Sequence, residues 1–214
     1  RGESPARIDA QLHDAFESNP HEASINAFLI DTGTRRILVD TGAGGFFGPG
    51  NAGQMLANLK AAGYRPEQID DVLLTHLHSD HTLGLPDLIF TSWVMGRRNA
   101  LEAYGPHGLQ EMTTHILEAW KVDEDVRING LEHEPASGYA VNVHEIRPGV
   151  VYDSGGVRIT AIPVLHGSLK EAYGYRIDTP TRSVVISGDT RPSDALVAAS
   201  RDVDVLVHEV YSAA

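Results

Sequence analysis

Residues 75–81 read Thr75-His76-Leu77-His78-Ser79-Asp80-His81 and close the short apolar run DVLLT (71–75). Four side chains that can ligate a metal therefore lie within six residues, 76–81. On a helix, His76 and His78 would point roughly 200° apart and could not share one ion. At the end of a strand, residues two apart face the same side. A turn after His78, with Gly84 and Pro86 supplying turn chemistry downstream, can bring Asp80 and His81 round to a second ion. The spacing suits two metals a few ångströms apart, the arrangement used for in-line displacement. The chain has no Cys, so imidazole and carboxylate are its strong ligands, which favours zinc and leaves manganese or iron open.

One loop cannot complete two sites, and two later strand ends offer further donors. His166 ends VRITAIPVLH before Gly167, and Asp189 ends SVVISGD before Thr190. Each is a ligand type placed where an apolar strand turns out of the core. Both are expected to join the cluster.

The elements that must hold these residues are short. INAFLI (25–30) and RILVD (36–40), separated by Asp31-Thr32-Gly33-Thr34, predict a hairpin. A glycine-rich loop follows at 42–53. Helices are predicted at 54–63 (Met55, Leu56 and Leu59 on one face, Gly63 as the stop), 108–120 (Leu109, Met112, Ile116, Leu117) and 192–200 (Pro192 near the first turn). Further strands are predicted at 71–75, 157–165, 172–177, 183–187 and 204–210. Helices among many strands mean α/β or α+β, with two sheets and outer helices. With no repeat, low-complexity run or Pro/Ser linker, 1–214 reads as a single domain.

Seventeen Lys+Arg against 29 Asp+Glu give a net charge of -12, a poor start for a phosphate-backbone binder. Arg97-Arg98 reads as solvated surface. No stretch approaches the ~20 apolar residues of a membrane span. The N-terminus starts at Arg1 and has no apolar signal core, which reads as a trimmed or mature form of a soluble protein, with export or periplasm favoured over cytoplasm.

The H-x-H-x-D-H pattern at His76, His78, Asp80 and His81, with VDTG (39–42) before it, resembles the metallo-β-lactamase superfamily. The resemblance implies an αββα sandwich of two mixed β-sheets flanked by helices. It implies two Zn2+: His76, His78 and His166 on one, Asp80 and His81 on the other, and Asp189 between them. Asp40 would support a ligand imidazole from behind and fix its tautomer. The superfamily's final histidine ligand has no counterpart after His208, so the chain is expected to lack the C-terminal end of the domain. His208 and Glu209 stand where the ribonuclease Z branch carries a His-Glu pair that is not a ligand. His208 is then the candidate general acid, Glu209 its orienting carboxylate, and Asp80 the further candidate catalytic residue. Phe46 and Phe47, on the glycine-rich loop beside the site in this family, suit an apolar or aromatic leaving group. Trp93, Met95, Trp120 and Tyr173 are weaker pocket candidates, read as core.

Two branches are represented. Residues 21–85 resemble the methyl parathion hydrolase group, which acts on organophosphate triesters. Residues 83–214 resemble ribonuclease Z through LGLPDLIF, AYGPHGL, VLHGSLKEAYGYRI, ISGDTRPSD and DVLVHEV. A P-G-H-T-x-G stretch, common to glyoxalase II, lactonases and the organophosphate group, is replaced by VLHGSLKEAYGYRI. The long basic arm of the transfer-RNA endonucleases is replaced by a tight turn within 175–183. The expected function is a di-zinc hydrolase attacking small phosphoesters or related esters with hydroxide. The alternatives are a ribonuclease Z-like phosphodiesterase or endonuclease, a lactonase or β-lactamase-type hydrolase, and a non-catalytic metal-binding relative with an incomplete second site. The expected partner is a small-molecule ester, with nucleic acid disfavoured, no membrane, and a homodimer compatible with the family.

Overall fold

A computed structural model describes residues 4–14, 24–45, 47–48 and 52–209. These fall into two units. One comprises Ile25–His208, and the other holds the helix α1 (Pro5–Asp14) and Glu209.

The larger unit begins with the hairpin. β1 (Phe28–Asp31) pairs antiparallel with β2 (Arg36–Val39), and Gly33 at φ 85 makes the reversal between them. After β2 come α2 (Met55–Ala61), β3 (Asp71–Leu73), the four-residue α3 (Ser79–Thr82) and α4 (Leu85–Val94). β4 (Leu101–Gly105), α5 (Leu109–Ala119), α6 (Lys121–Asn129), α7 (Ala136–Tyr139) and β5 (Val141–Glu145) follow. Strands β1-β2-β3-β4-β5 form one sheet, parallel from β2 to β5. The second sheet, in the order β10-β9-β8-β7-β6, is built from β6 (Gly149–Ser154), β7 (Val157–Pro163), β8 (Tyr173–Asp178), β9 (Ser183–Ile186) and β10 (Val205–Val207). It is antiparallel except where β10 joins β9 after α8 (Asp194–Ala199).

The period of two along each strand divides the core. Ile37, Val39 and Leu73 point between the sheets, against Ile159, Tyr175, Ile177 and Ile186. Leu38, Val72 and Leu74 point the other way, against Leu59, Leu85, Leu88 and Leu109 of the helices. Ile162 and Val185 turn their face to Leu196 of α8. The result is the expected mixed α/β sandwich, two sheets flanked by helices.

Some segments differ from the sequence expectations. Gly84 and Pro86 do not make a free turn but open α4, with Pro86 in its first turn where no N–H is needed. Arg97 is not solvated. It is 5% exposed and reaches the Pro66 carbonyl, because the chain leaving α4 folds back under the 3-10 turn Pro66–Gln68. Arg98 is exposed and pairs with Glu134. Trp93 and Tyr173 are core, whereas Met95 and Trp120 are exposed.

Candidate metal centre

β3 ends at Leu73, and the chain bends at Thr75 and reaches the extended His78 before α3 turns it. His76 and His78 share one group of candidate ligands, and α3 carries Asp80 and His81 back towards them. The turn is clamped to the loop after β2: Thr41 N–H and Oγ1 both donate to the His81 carbonyl, at 3.0 and 2.8 Å. Gly84 N–H donates to Gly42 O at 3.2 Å.

The two sheets close on this point. Tyr173 N–H donates to Thr75 O at 2.8 Å, and the buried Tyr175 hydroxyl donates to Leu74 O at 2.8 Å. These bonds hold the β7–β8 loop, with His166, over the first sheet. β8 in turn positions β9, which delivers Asp189.

Five of the expected ligands converge in two groups, His76-His78-His166 and His76-His81-Asp189. His78 Nδ1 lies 3.1 Å from both His76 Nε2 and His166 Nε2. On the other side, Asp80 Oδ2 and Asp189 Oδ2 lie 3.7 and 3.5 Å from His81 Nε2. Asp189 Oδ2 is also 3.8 Å from His166 Nε2, so one carboxylate oxygen stands between the groups. Behind them, the buried Asp40 faces His81 Nδ1 at 2.9 Å and accepts from Thr75 N–H and Oγ1 at 2.8 Å each.

The donor set fits divalent metal. Ligand atoms on a tetrahedral zinc at about 2.0–2.1 Å stand roughly 3.3 Å apart, close to the 3.1 Å from His78 Nδ1 to each of the other two imidazole nitrogens. Ring lone pairs facing each other at 3.1 Å need a proton or a cation between them. The charges of the two buried imidazoles are pulled apart. Burial and the neighbouring His81 cation push His76 down to about 3. Burial opposes charge on His81 too, but the Asp189 and Asp40 carboxylates outweigh it and raise the group to about 10. Asp189 is lowered mainly by its bond from His81.

Other expected residues stand apart from these groups. His208 is exposed just past β10, at the strand-end level of Ser187, whose N–H donates to Val207 O at 3.0 Å. It joins neither metal-holding group among the described residues. Glu209 belongs to the small terminal unit. Phe46 lies outside the described residues. Phe47 is 48% exposed on a turn in which Gly48 N–H bonds Gly45 O. That loop meets α3, because a Cβ on Gly44 would lie 3.2 Å from Leu83, itself exposed two residues past His81. Thr75 escaped the sequence reading. A hydroxyl before a histidine carries no metal-ligand signature, and only its place at a strand end hinted at a role.

A family model described as a β-lactamase superfamily domain matches residues 35–213, nearly all of the larger unit. The chain belongs to the β-lactamase superfamily. Curated relatives within that superfamily include a ribonuclease Z from Mycobacterium sp. (strain KMS), 34% identical over 184 residues, covering 84% of this chain and 60% of the relative. A ribonuclease BN from Cronobacter sakazakii is 30% identical over 212 residues, covering 76% of this chain and 64% of the relative. The superfamily chain thus spans a little under two thirds of these relatives. Among solved structures, human tRNase Z, short form, has the same fold at a TM-score of 0.63 and 20% identity, covering 87% of this chain and 70% of that one. No helix among the described residues is long and apolar enough to cross a membrane.

Proposed function

We propose that this β-lactamase superfamily chain is a metal-dependent hydrolase of small phosphoesters, working at a two-metal centre. The observation that carries the reading is Asp189 Oδ2, within 3.8 Å of a nitrogen from each side of the cluster, as a bridging ligand would be. His76, His78 and His166 would hold one ion. His81 and Asp80 would hold the other, with Asp189 shared. Zinc is the first choice for this nitrogen and oxygen set.

Divalent ions held there supply activated water and neutralise charge on the reacting ester. The chain's own groups do the rest. Asp40 keeps a proton on His81 Nδ1, leaving Nε2 free to ligate. Asp80 and Asp189 set negative charge beside His81, so that a cation is welcome there. The exposed Phe47 and Leu83 offer an apolar wall for an aryl or alkyl leaving group. His208, beyond the end of β10, is the candidate proton donor to the leaving oxygen, with Glu209 as its proposed partner.

A second reading, RNA phosphodiester cleavage, is favoured by the ribonuclease Z relatives at 34% identity. Two observations weigh against it. The β8–β9 connection is a tight turn, with Thr179 N–H bonded to Arg182 O at 2.8 Å, where the transfer-RNA endonucleases carry a long basic arm. The charge of -12 also repels a polyanion. Aryl phosphotriesters stay in the candidate set through the methyl parathion hydrolase resemblance of residues 21–85. One screen separates these readings: aryl phosphotriester, aryl phosphodiester, lactone, β-lactam and precursor transfer RNA with the zinc-loaded protein. Turnover of the aryl phosphoesters is the expected result. Cleavage of the precursor RNA alone would replace the substrate class proposed here.

A further inference from the structure

Thr75 is not among the candidate ligands, yet it touches His76, the strand that follows the His166 loop and the glycine before Asp189. Its N–H donates to Asp40 Oδ1 at 2.8 Å. Its carbonyl accepts from Tyr173, the first residue of the strand after the His166 loop, at 2.8 Å. Its Cβ and methyl lie 3.0 Å from where a Cβ on Gly188 would stand, so only glycine allows the chain to pass there on its way to Asp189. Its hydroxyl sits between two polar groups, 2.8 Å from Asp40 Oδ2 and 3.0 Å from His76 Nδ1.

That hydroxyl has one hydrogen to give. An ionised carboxylate can only accept, so the hydrogen goes to Asp40 and the hydroxyl oxygen faces His76 as an acceptor. His76 Nδ1 must then carry the ring proton. Its Nε2 is left with a bare lone pair on the side of His78 and His166. The opposite assignment would put two oxygens 2.8 Å apart with no hydrogen between them and aim an N–H at the centre. Asp40 Oδ2 also takes the bond from His81 Nδ1, at 2.9 Å. One carboxylate oxygen therefore orients His81 directly and His76 through Thr75.

We propose that Thr75 is a positioning residue that fixes the His76 tautomer and, by sharing Asp40 with His81, ties both halves of the centre to a single carboxylate. The consequence for metal binding rests on the two-metal reading above; the tautomer itself does not.

Two substitutions divide the side chain. Thr75→Val keeps the branch that packs on Gly188 and removes the hydroxyl. Thr75→Ser keeps the hydroxyl and removes the methyl. Nitrogen-15 NMR of histidine-labelled, metal-free protein reads the tautomer, and chelator competition with zinc alone reads the affinity. The wild type and Thr75→Ser should show His76 protonated on Nδ1. Thr75→Val should lose that signature and bind zinc about 10–100-fold more weakly, the usual loss when a partner behind a ligand is removed. Thr75→Ser should bind zinc within about threefold of the wild type, far inside that range. A Thr75→Val protein with wild-type tautomer and affinity would overturn the proposal, as would equal losses in both variants. If Thr75→Val does not fold, a wild-type His76 protonated on Nε2 overturns it and one protonated on Nδ1 supports it. If the wild type binds no zinc, the two-metal reading falls, and the His76 tautomer still decides the role of Thr75.

Discussion

Asp189 reaches nitrogens on both sides of the cluster, whereas Asp80, among the described residues, pairs with His81 alone. The two carboxylates should therefore differ on removal. Asp189→Asn should lower the bound zinc from about two per chain to about one and strip the activity. Asp80→Asn should weaken uptake at the His81 side alone. Elemental analysis after gel filtration checks both. The shifted imidazoles give a pH signature to the metal-free chain. His81 is raised to about 10, so its contribution to stability is complete below its unfolded value of about 6.5 and is lost as pH rises through about 10. His76 is lowered to about 3, so its contribution is present above about 6.5 and is lost as pH falls towards about 3. From these two groups alone, thermal stability without metal should peak near neutral to slightly acid pH. Saturating zinc, which replaces the proton on His81, should flatten the alkaline side. Differential scanning calorimetry with and without chelator measures this. The ligand candidates were legible because their types are rare at strand ends and their spacing excludes a helix. Thr75 was not, because its role depends on which atom its one hydrogen faces.

The elements show where short-range signals give out. The runs 71–75, 157–165 and 183–187 became strands trimmed at the ends where the ligand loops begin, and 172–177 became β8, shifted by one residue to Tyr173–Asp178. α4 went unread although its buried residues Leu85, Leu88, Ile89, Ser92 and Trp93 follow helical spacing. Its remaining faces also carry Phe90 and Val94, so no polar face marked the period, and Pro86 looked like punctuation. β4, β5 and β6 were likewise missed. β5 is a half-exposed edge, with Asn142 and His144 bonded to Glu102 rather than buried. Gly84 is where an element boundary governs the centre. A Cβ there would lie 2.0 Å from the Thr41 carbonyl. Gly84→Ala should push α4 away from the loop that carries Asp40, costing about 1–3 kcal/mol by overpacking. Gly33→Ala, on the remote hairpin, meets nothing within 4 Å and strains only its φ of 85. Urea midpoints should show both losses, with zinc affinity falling for Gly84→Ala alone.

Across the whole molecule, the acidic balance bears on what can approach the centre. With 29 Asp+Glu against 17 Lys+Arg, a polyanion gains little from counter-ion release, and an uncharged or singly charged ester is not penalised. The KM for an aryl phosphoester should therefore change less than about threefold between low and moderate salt, whereas a ligand bridging many phosphates would lose orders of magnitude. Two sheets with outer helices were legible from the mixture of elements, and the αββα order from the superfamily resemblance, but the burial of Arg97 was not. It follows from the return of the chain under Pro66, a contact 31 residues apart in sequence. The same long-range closure, Tyr173 on Thr75, assembles the centre from both sheets. His76 belongs to both groups that could hold a metal ion, so its removal should disable the two-metal centre as a whole. The measurement is zinc content together with aryl phosphoester turnover, for the wild type and His76→Ala side by side. The wild type should hold about two zinc per chain and turn over the ester, and the variant should lose both. A wild type that holds no zinc, or a His76→Ala protein that turns over ester as fast as the wild type, would contradict the two-metal reading.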